Sequence, residues 1–397
     1  MPQTPLAISD PSSIGLSEQG LVSLSNVLNG EIERARLPGA VVLISRRGRI
    51  GHFEAYGRQD PARDGPMRRN SIFRIYSMTK PIVSVAVMML VEQGRLLLGD
   101  PLAKYIPEFA KPRVGIDRSG KLELEPAERE IAVHDLLRHT SGLTYDFVAT
   151  GALQRAYTEA TLHRRQQSNA EFCRALAKLP LLHHPGSHWS YSHSTDVLGR
   201  LIEVITGRTL AEVLSERILR PLGMDDTGFC VPPDTADRIA QPFAANPETG
   251  EPVNLFDVRQ VPVLQSGGGG LVSTAADYAR FLQMLAGGGT REGARILGRK
   301  TLEFMTSNHL GPGVAIDSAL GLLPPGHGFG LGFAVRTETG LASFPGTAGT
   351  YYWGGIAGTT FWVDAKEELF ALLLIQAPGQ REYYRMLFRN LVYAALE

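Results

Sequence analysis

Residues 76–94 read YSMTKPIVSVAVMMLVEQG: Ser77 stands three residues before Lys80, and an apolar run follows at once. If a helix begins near Ser77, positions i and i+3 share a face, and the Lys80 amine can reach the Ser77 hydroxyl. An isolated S-x-x-K is usually a capping serine followed by a solvated lysine. Two features favour a nucleophile beside its own base. Lys80 is the only lysine of the chain with a serine three positions earlier, and it heads a helix apolar enough to be buried. A buried lysine is costly unless it is used. Its use as a base requires burial or neighbouring positive charge to favour the neutral amine. The helix N-terminus also offers free backbone amides for an oxyanion.

Working outward, apolar residues at Leu21, Leu24, Val27, Leu28 and Ile32 recur at helical spacing and predict a helix over about 17–37. VVLISR (41–46) and IGHFEAYG (50–57) predict two antiparallel strands. Beyond Lys80 the chain is mainly helical and irregular until about residue 258. There follow the glycine-rich QSGGGGLVST, a helix in AADYARFLQMLAGGG, strand-like stretches in YYWGGIAGTTFWVD and ELFALLLIQAP, and a long amphipathic helix at the end. Strands at both ends with helices between them predict an α/β (α+β) fold, an antiparallel sheet flanked by helices. Its domain is built from residues 17–75 and 258–397, with a mainly helical domain, 76–257, inserted. An active-site cleft is expected between the two.

The chain has 397 residues, 43% hydrophobic and 20% charged, with zero formal net charge. That balance gives no basic surface for nucleic acid or an anionic membrane and favours a small-molecule partner. Two cysteines without CxxC spacing encode neither a disulfide framework nor a thiolate metal site. The first twenty residues lack the pattern of a secretory signal, and no stretch approaches ~18 uninterrupted apolar residues. A cytoplasmic protein is expected.

Two further stretches carry chemistry. SHWSYSHSTDVLG (187–199) places Tyr191 just before a helix, where a phenol can relay a proton. The nearby His183, His184, His188 and His193 have no HExxH pattern, so no metal is expected. In YYWGGIAGT (351–359), Gly354 and Gly355 after Trp353 allow close approach to the backbone, and the Ile356 amide can face a cleft. SGGGGLVST lacks the ending of a phosphate loop, GHGFGLGF lacks the order of a dinucleotide site, and no G-x-S-x-G occurs. No cofactor is expected.

Taken in order, S-x-x-K at Ser77–Lys80, Y-S-x at Tyr191–His193 and W-G-G at Trp353–Gly355 resemble the serine β-lactamase and penicillin-binding-protein superfamily, most closely its family VIII carboxylesterases. LLRHTSGL (136–143), RPLGMDDTGF (220–229) and GGGGLVSTAADYARFLQML (267–285) extend the resemblance over most of the chain. It implies Ser77 as acylated nucleophile, Lys80 as general base and Tyr191 as proton relay. It also implies an oxyanion site between the amides of Ser77 and Ile356, and a substrate pocket with Trp353, Gly354, Gly355 and Tyr145.

Where relatives carry K-T-G, this chain has W-G-G, which removes the cation expected to hold a substrate carboxylate. The expected activity is hydrolysis of short, neutral carboxylic esters through an acyl-enzyme. The alternatives are an acyltransferase, a β-lactamase, a D-amino-acid peptidase or amidase, and, from a different class, a non-catalytic scaffold.

Overall fold

The computed structural model describes residues 7–317 and 321–397. The strands and helices that position the site are, along the chain, α1 (Glu18–Glu33), β1 (Gly39–Arg46), β2 (Arg49–Gly57), α2 (Thr79–Glu92), β3 (Arg113–Arg118), β4 (Lys121–Pro126) and α3 (Ser194–Thr206). They continue with α4 (Ala275–Ala286), β5 (His327–Phe329), β6 (Ala334–Arg336), β7 (Tyr351–Gly354), β8 (Thr360–Asp364), β9 (Leu369–Ile375) and α5 (Arg381–Ala394).

A seven-stranded antiparallel sheet, in the order β5-β6-β7-β8-β9-β1-β2, forms the centre. The two ends of the chain meet in it, Ala40 lying opposite Ile375 and Arg46 opposite Leu369. β1 and β9 are buried at every residue because helices cover both faces. Ala40, Val42, Ile44, Trp362 and Leu373 pack with Leu24 and Leu28 of α1 and Phe388 and Val392 of α5. Val41, Leu43, Phe361, Leu372 and Leu374 face the larger core, which includes α2 and α4. Such double coverage is why these strands read as continuous apolar runs rather than as alternation.

α1 begins where the Ser17 hydroxyl accepts from the Gly20 amide at 3.3 Å. It stops at Glu33, short of the expected Leu37, because Ala35 adopts a left-handed conformation with φ 55°. The aromatic stretch 351–364 is two strands, β7 and β8, joined by a turn. β5 and β6 come from the glycine-rich region around GHGFGLGF and were not anticipated. The β3–β4 hairpin, within a segment expected to be helical or irregular, turns through Ser119 and Gly120 at φ 54° and 85°. Most of it is exposed, so no strong apolar pattern marked it. α2 is apolar around its whole circumference, with Ile82, Val83, Val85, Ala86, Val87, Met88 and Leu90 all buried.

Candidate active site

Ser77 lies in one turn of 3-10 helix, Tyr76–Met78, that runs directly into α2. Tyr76 has φ 43°, a left-handed conformation that costs a bulky residue roughly 1–3 kcal/mol. Surrounding contacts hold the turn: Phe256 packs edge-on against the Tyr76 ring at 4.7 Å, and the Tyr278 hydroxyl donates to the Met78 carbonyl at 3.0 Å.

Lys80, 1% exposed, follows in the first turn of α2. Its Nζ donates to Ser77 Oγ at 3.2 Å, to the Tyr145 hydroxyl at 3.2 Å and to the Gly268 carbonyl at 2.6 Å. Among the described residues no carboxylate forms an ion pair with it, so it sits among three neutral oxygens. Tyr145, expected only as a pocket residue, thus also touches the amine. Burial holds its phenol protonated, well above the usual tyrosine range, and neighbouring Tyr191 and Asp196 add to this.

Tyr191 reaches Ser77 from the other side, its hydroxyl donating to Ser77 Oγ at 2.6 Å. The Lys80 amine lies 4.5 Å from the centre of the Tyr191 ring. The HTSG segment braces the loop that carries Tyr191: the Ser190 amide donates to the His139 carbonyl at 2.9 Å, and the Ser141 and Ser194 hydroxyls meet at 2.7 Å. Burial, then the charge of Lys80, pushes His139 well below the usual imidazole range, so it packs as a neutral ring. His193 pairs with Asp196 at 3.1 Å, whereas His183 stacks on His188 at 3.9 Å and His184 meets Glu125 at 3.1 Å.

Asp196, in the first turn of α3, was not anticipated. One carboxylate oxygen accepts from the Ser266 hydroxyl at 2.5 Å and the Gly268 amide at 2.9 Å. Burial pushes the carboxyl up, but the hydrogen bond and charge of His193, the charge of Lys80 and the Ser266 hydroxyl outweigh it and bring the pKa down to about 2. Asp196 therefore fixes the Gly268 peptide whose carbonyl receives Lys80. The QSGGGG run, read above as lacking a phosphate loop and as part of a segment that extends the resemblance, supplies this backbone. A side chain on Gly268 would meet Asp196 Oδ2 at 2.5 Å.

β7 brings the third box. Trp353, 5% exposed, packs 5.3 Å from both Tyr191 and Phe329. Gly355 lies so close to the Ser77 turn that a Cβ would sit 2.4 Å from the Ile75 carbonyl oxygen. The Ile356 side chain stands exposed at the rim, and its amide has no hydrogen-bond partner among the described residues; nor has the Ser77 amide. The box has no cation of its own, but α5 brings Arg385 beside it. That guanidinium donates through Nη2 to the Gly355 carbonyl at 2.5 Å and through Nη1 to Glu382 at 2.8 Å, and its buried Nε has no partner among the described residues.

These residues border a cleft of about 920 Å³. Ser77, Tyr145, Tyr191, Trp353, Gly354 and Ile356 line it, with Phe147, Leu162, Phe172 and Leu264 forming an apolar wall. Among the described residues no group of three or more His, Cys, Asp or Glu could hold a metal, and no helix is long and apolar enough to cross a membrane.

The chain as a whole is similar to several known proteins. The family model described as Beta-lactamase matches residues 24–395. Protein Rv1367c of Mycobacterium tuberculosis is 38% identical over 86% of this chain and 86% of its own. Esterase EstB of Burkholderia gladioli is 32% identical over 97% of this chain and 98% of its own. Among solved structures, EstCE1, described as a hydrolase with promiscuous acyltransferase activity, superposes with a TM-score of 0.79 at 28% identity. It covers 94% of this chain and 99% of the EstCE1 chain.

Proposed function

The chain belongs to the beta-lactamase family, and on that basis we propose that it is a serine carboxylesterase acting on neutral carboxylic esters through an acyl-enzyme. One observation carries the reading: Ser77 Oγ receives hydrogen bonds from both Tyr191 and Lys80, with an unpaired backbone amide at Ile356 beside the same turn.

In this mechanism Lys80 acts in its neutral form: the amine beside Ser77 Oγ takes the hydroxyl proton and becomes an ammonium as Oγ attacks the ester carbonyl. The amides of Ser77 and Ile356 receive the charge that develops on the carbonyl oxygen. Tyr191 passes a proton to the departing alkoxide, and the ester C–O bond breaks to leave an acyl-serine. Water then attacks the acyl carbon, its proton moving through Tyr191 and Lys80, and Ser77 is regenerated with release of the carboxylic acid.

Arg385 gives Nη1 to Glu382 and Nη2 to the Gly355 carbonyl while its Nε has no partner among the described residues, and Arg165 and Arg389 also line the cleft, so the reading of a neutral substrate rests on the W-G-G box. The apolar wall supports an acyl chain, and a cleft of about 920 Å³ exceeds what a short ester fills. The same volume supports a second reading in which an alcohol takes the place of water, as the acyltransferase side activity of EstCE1 also suggests.

The test is paired kinetics on p-nitrophenyl butyrate and a chromogenic cephalosporin, with Ser77→Ala as control. Rapid ester turnover with little lactam turnover, both reduced at least a thousandfold in the variant, is the expected result. A preference for the cephalosporin, or activity that survives the substitution, refutes it.

A further inference from the structure

We infer that Arg385 is a positioning residue of the oxyanion site: through the Gly355 carbonyl it holds the Gly355–Ile356 peptide with its N–H turned toward the attacked ester. The inference rests on the acyl-enzyme reading above and goes beyond it, since α5 belongs to none of the three boxes.

The peptide group is planar and trans, so its C=O and N–H point in opposite directions. The Gly355 carbonyl and the Ile356 amide belong to one such group. The carbonyl accepts from the Arg385 guanidinium at 2.5 Å, a short charge-assisted bond, and from the Gly358 amide of its own turn at 3.0 Å, so Arg385 adds to a hold the turn already provides. Fixing the oxygen in that direction fixes the N–H in the other, and that N–H has no other partner among the described residues. A cation on the carbonyl also polarises the peptide and strengthens its N–H as a donor.

Both glycines acquire a reason. A Cβ on Gly354 would lie 2.6 Å from Arg385 Nη2, so a bare Cα lets the guanidinium lie along the strand. A Cβ on Gly355 would meet the Ile75 oxygen at 2.4 Å and Thr359 Oγ1 at 2.5 Å, so a second bare Cα lets the peptide approach the Ser77 turn. Arg385 is itself anchored, its Nη1 on Glu382 at 2.8 Å and Nη2 also within 3.5 Å of the Thr359 carbonyl.

The test uses the full-length protein with Arg385→Ala and Arg385→Lys. On p-nitrophenyl butyrate, Arg385→Ala is expected to lower kcat about ten- to a hundredfold with KM within a factor of two, part of the ~10²–10³ that loss of an oxyanion donor costs. Affinity for a trifluoromethyl ketone, which forms a tetrahedral adduct at Ser77, falls in the same proportion. Arg385→Lys keeps a cation near the carbonyl and recovers part of the loss, and guanidinium at millimolar concentration partly restores Arg385→Ala. Unchanged kcat in Arg385→Ala, or a loss wholly in KM, overturns the inference. If the wild-type protein fails to hydrolyse the ester in a Ser77-dependent manner, it is the esterase reading that falls.

Discussion

At the scale of single residues, the contacts around Ser77 Oγ separate three roles that differ in what a substitution leaves behind. Tyr191→Phe removes one hydroxyl from a packed ring and should lower kcat about 10²–10⁴-fold while the thermal midpoint moves by only about 2 °C. Lys80→Met keeps the volume of the buried stem and removes the amine, so acylation, followed as the p-nitrophenol burst, should fall at least as far. A near-normal burst in Lys80→Met would place the base elsewhere. The Ser77–Lys80 pair was legible because an i, i+3 relation is local and survives any tertiary arrangement. Asp196 was not: its partner Gly268 lies 72 residues away, and only folding reveals that its carboxylate sets the carbonyl on Lys80.

At the scale of elements, the turn between β7 and β8 and the 3-10 turn before α2 lean on one another without side chains between them. A methyl group at Gly355 cannot be accommodated by rotating a flexible neighbour, because the nearest atom is the backbone oxygen of Ile75. Gly355→Ala should therefore lose more than tenfold in kcat/KM, measured on p-nitrophenyl butyrate, and about 1–3 kcal/mol of stability in urea unfolding. Retained activity would mean that the two turns move apart freely. The W-G-G box was visible in the sequence as a close-approach signal. Which backbone approached, and that α5 would deliver Arg385 to it, was not, because REYYRMLFRNLVYAALE reads only as an amphipathic helix.

At the scale of the whole molecule, the buried carboxylate of Asp196 joins α3 to the glycine-rich segment and links stability to pH. Its folded-state pKa, about 2, lies below its ordinary value of 3.8. The unfolded chain thus binds the proton first. The stabilisation, about 2 kcal/mol, is fully present above pH ~4 and is lost as pH falls toward 2. Thermal unfolding across this interval should show a shallower loss in Asp196→Asn than in the wild type; identical slopes would remove Asp196 from the acid response.

The sequence by itself determined the elements whose signals are local. These are the apolar helix behind Ser77, the strands at the two ends, the terminal helices, and the three short boxes in their order. Tertiary structure decided the rest. It paired β1 with β9, built a hairpin from a mostly exposed segment, brought Asp196 to Gly268 and Arg385 to Gly355, and gave the cleft its size. The physical reason is range: propensity, periodicity and i, i+3 geometry act within a few residues, whereas hydrogen bonds across tens to hundreds of residues exist only once the sheet and its covering helices have fixed where the backbone lies.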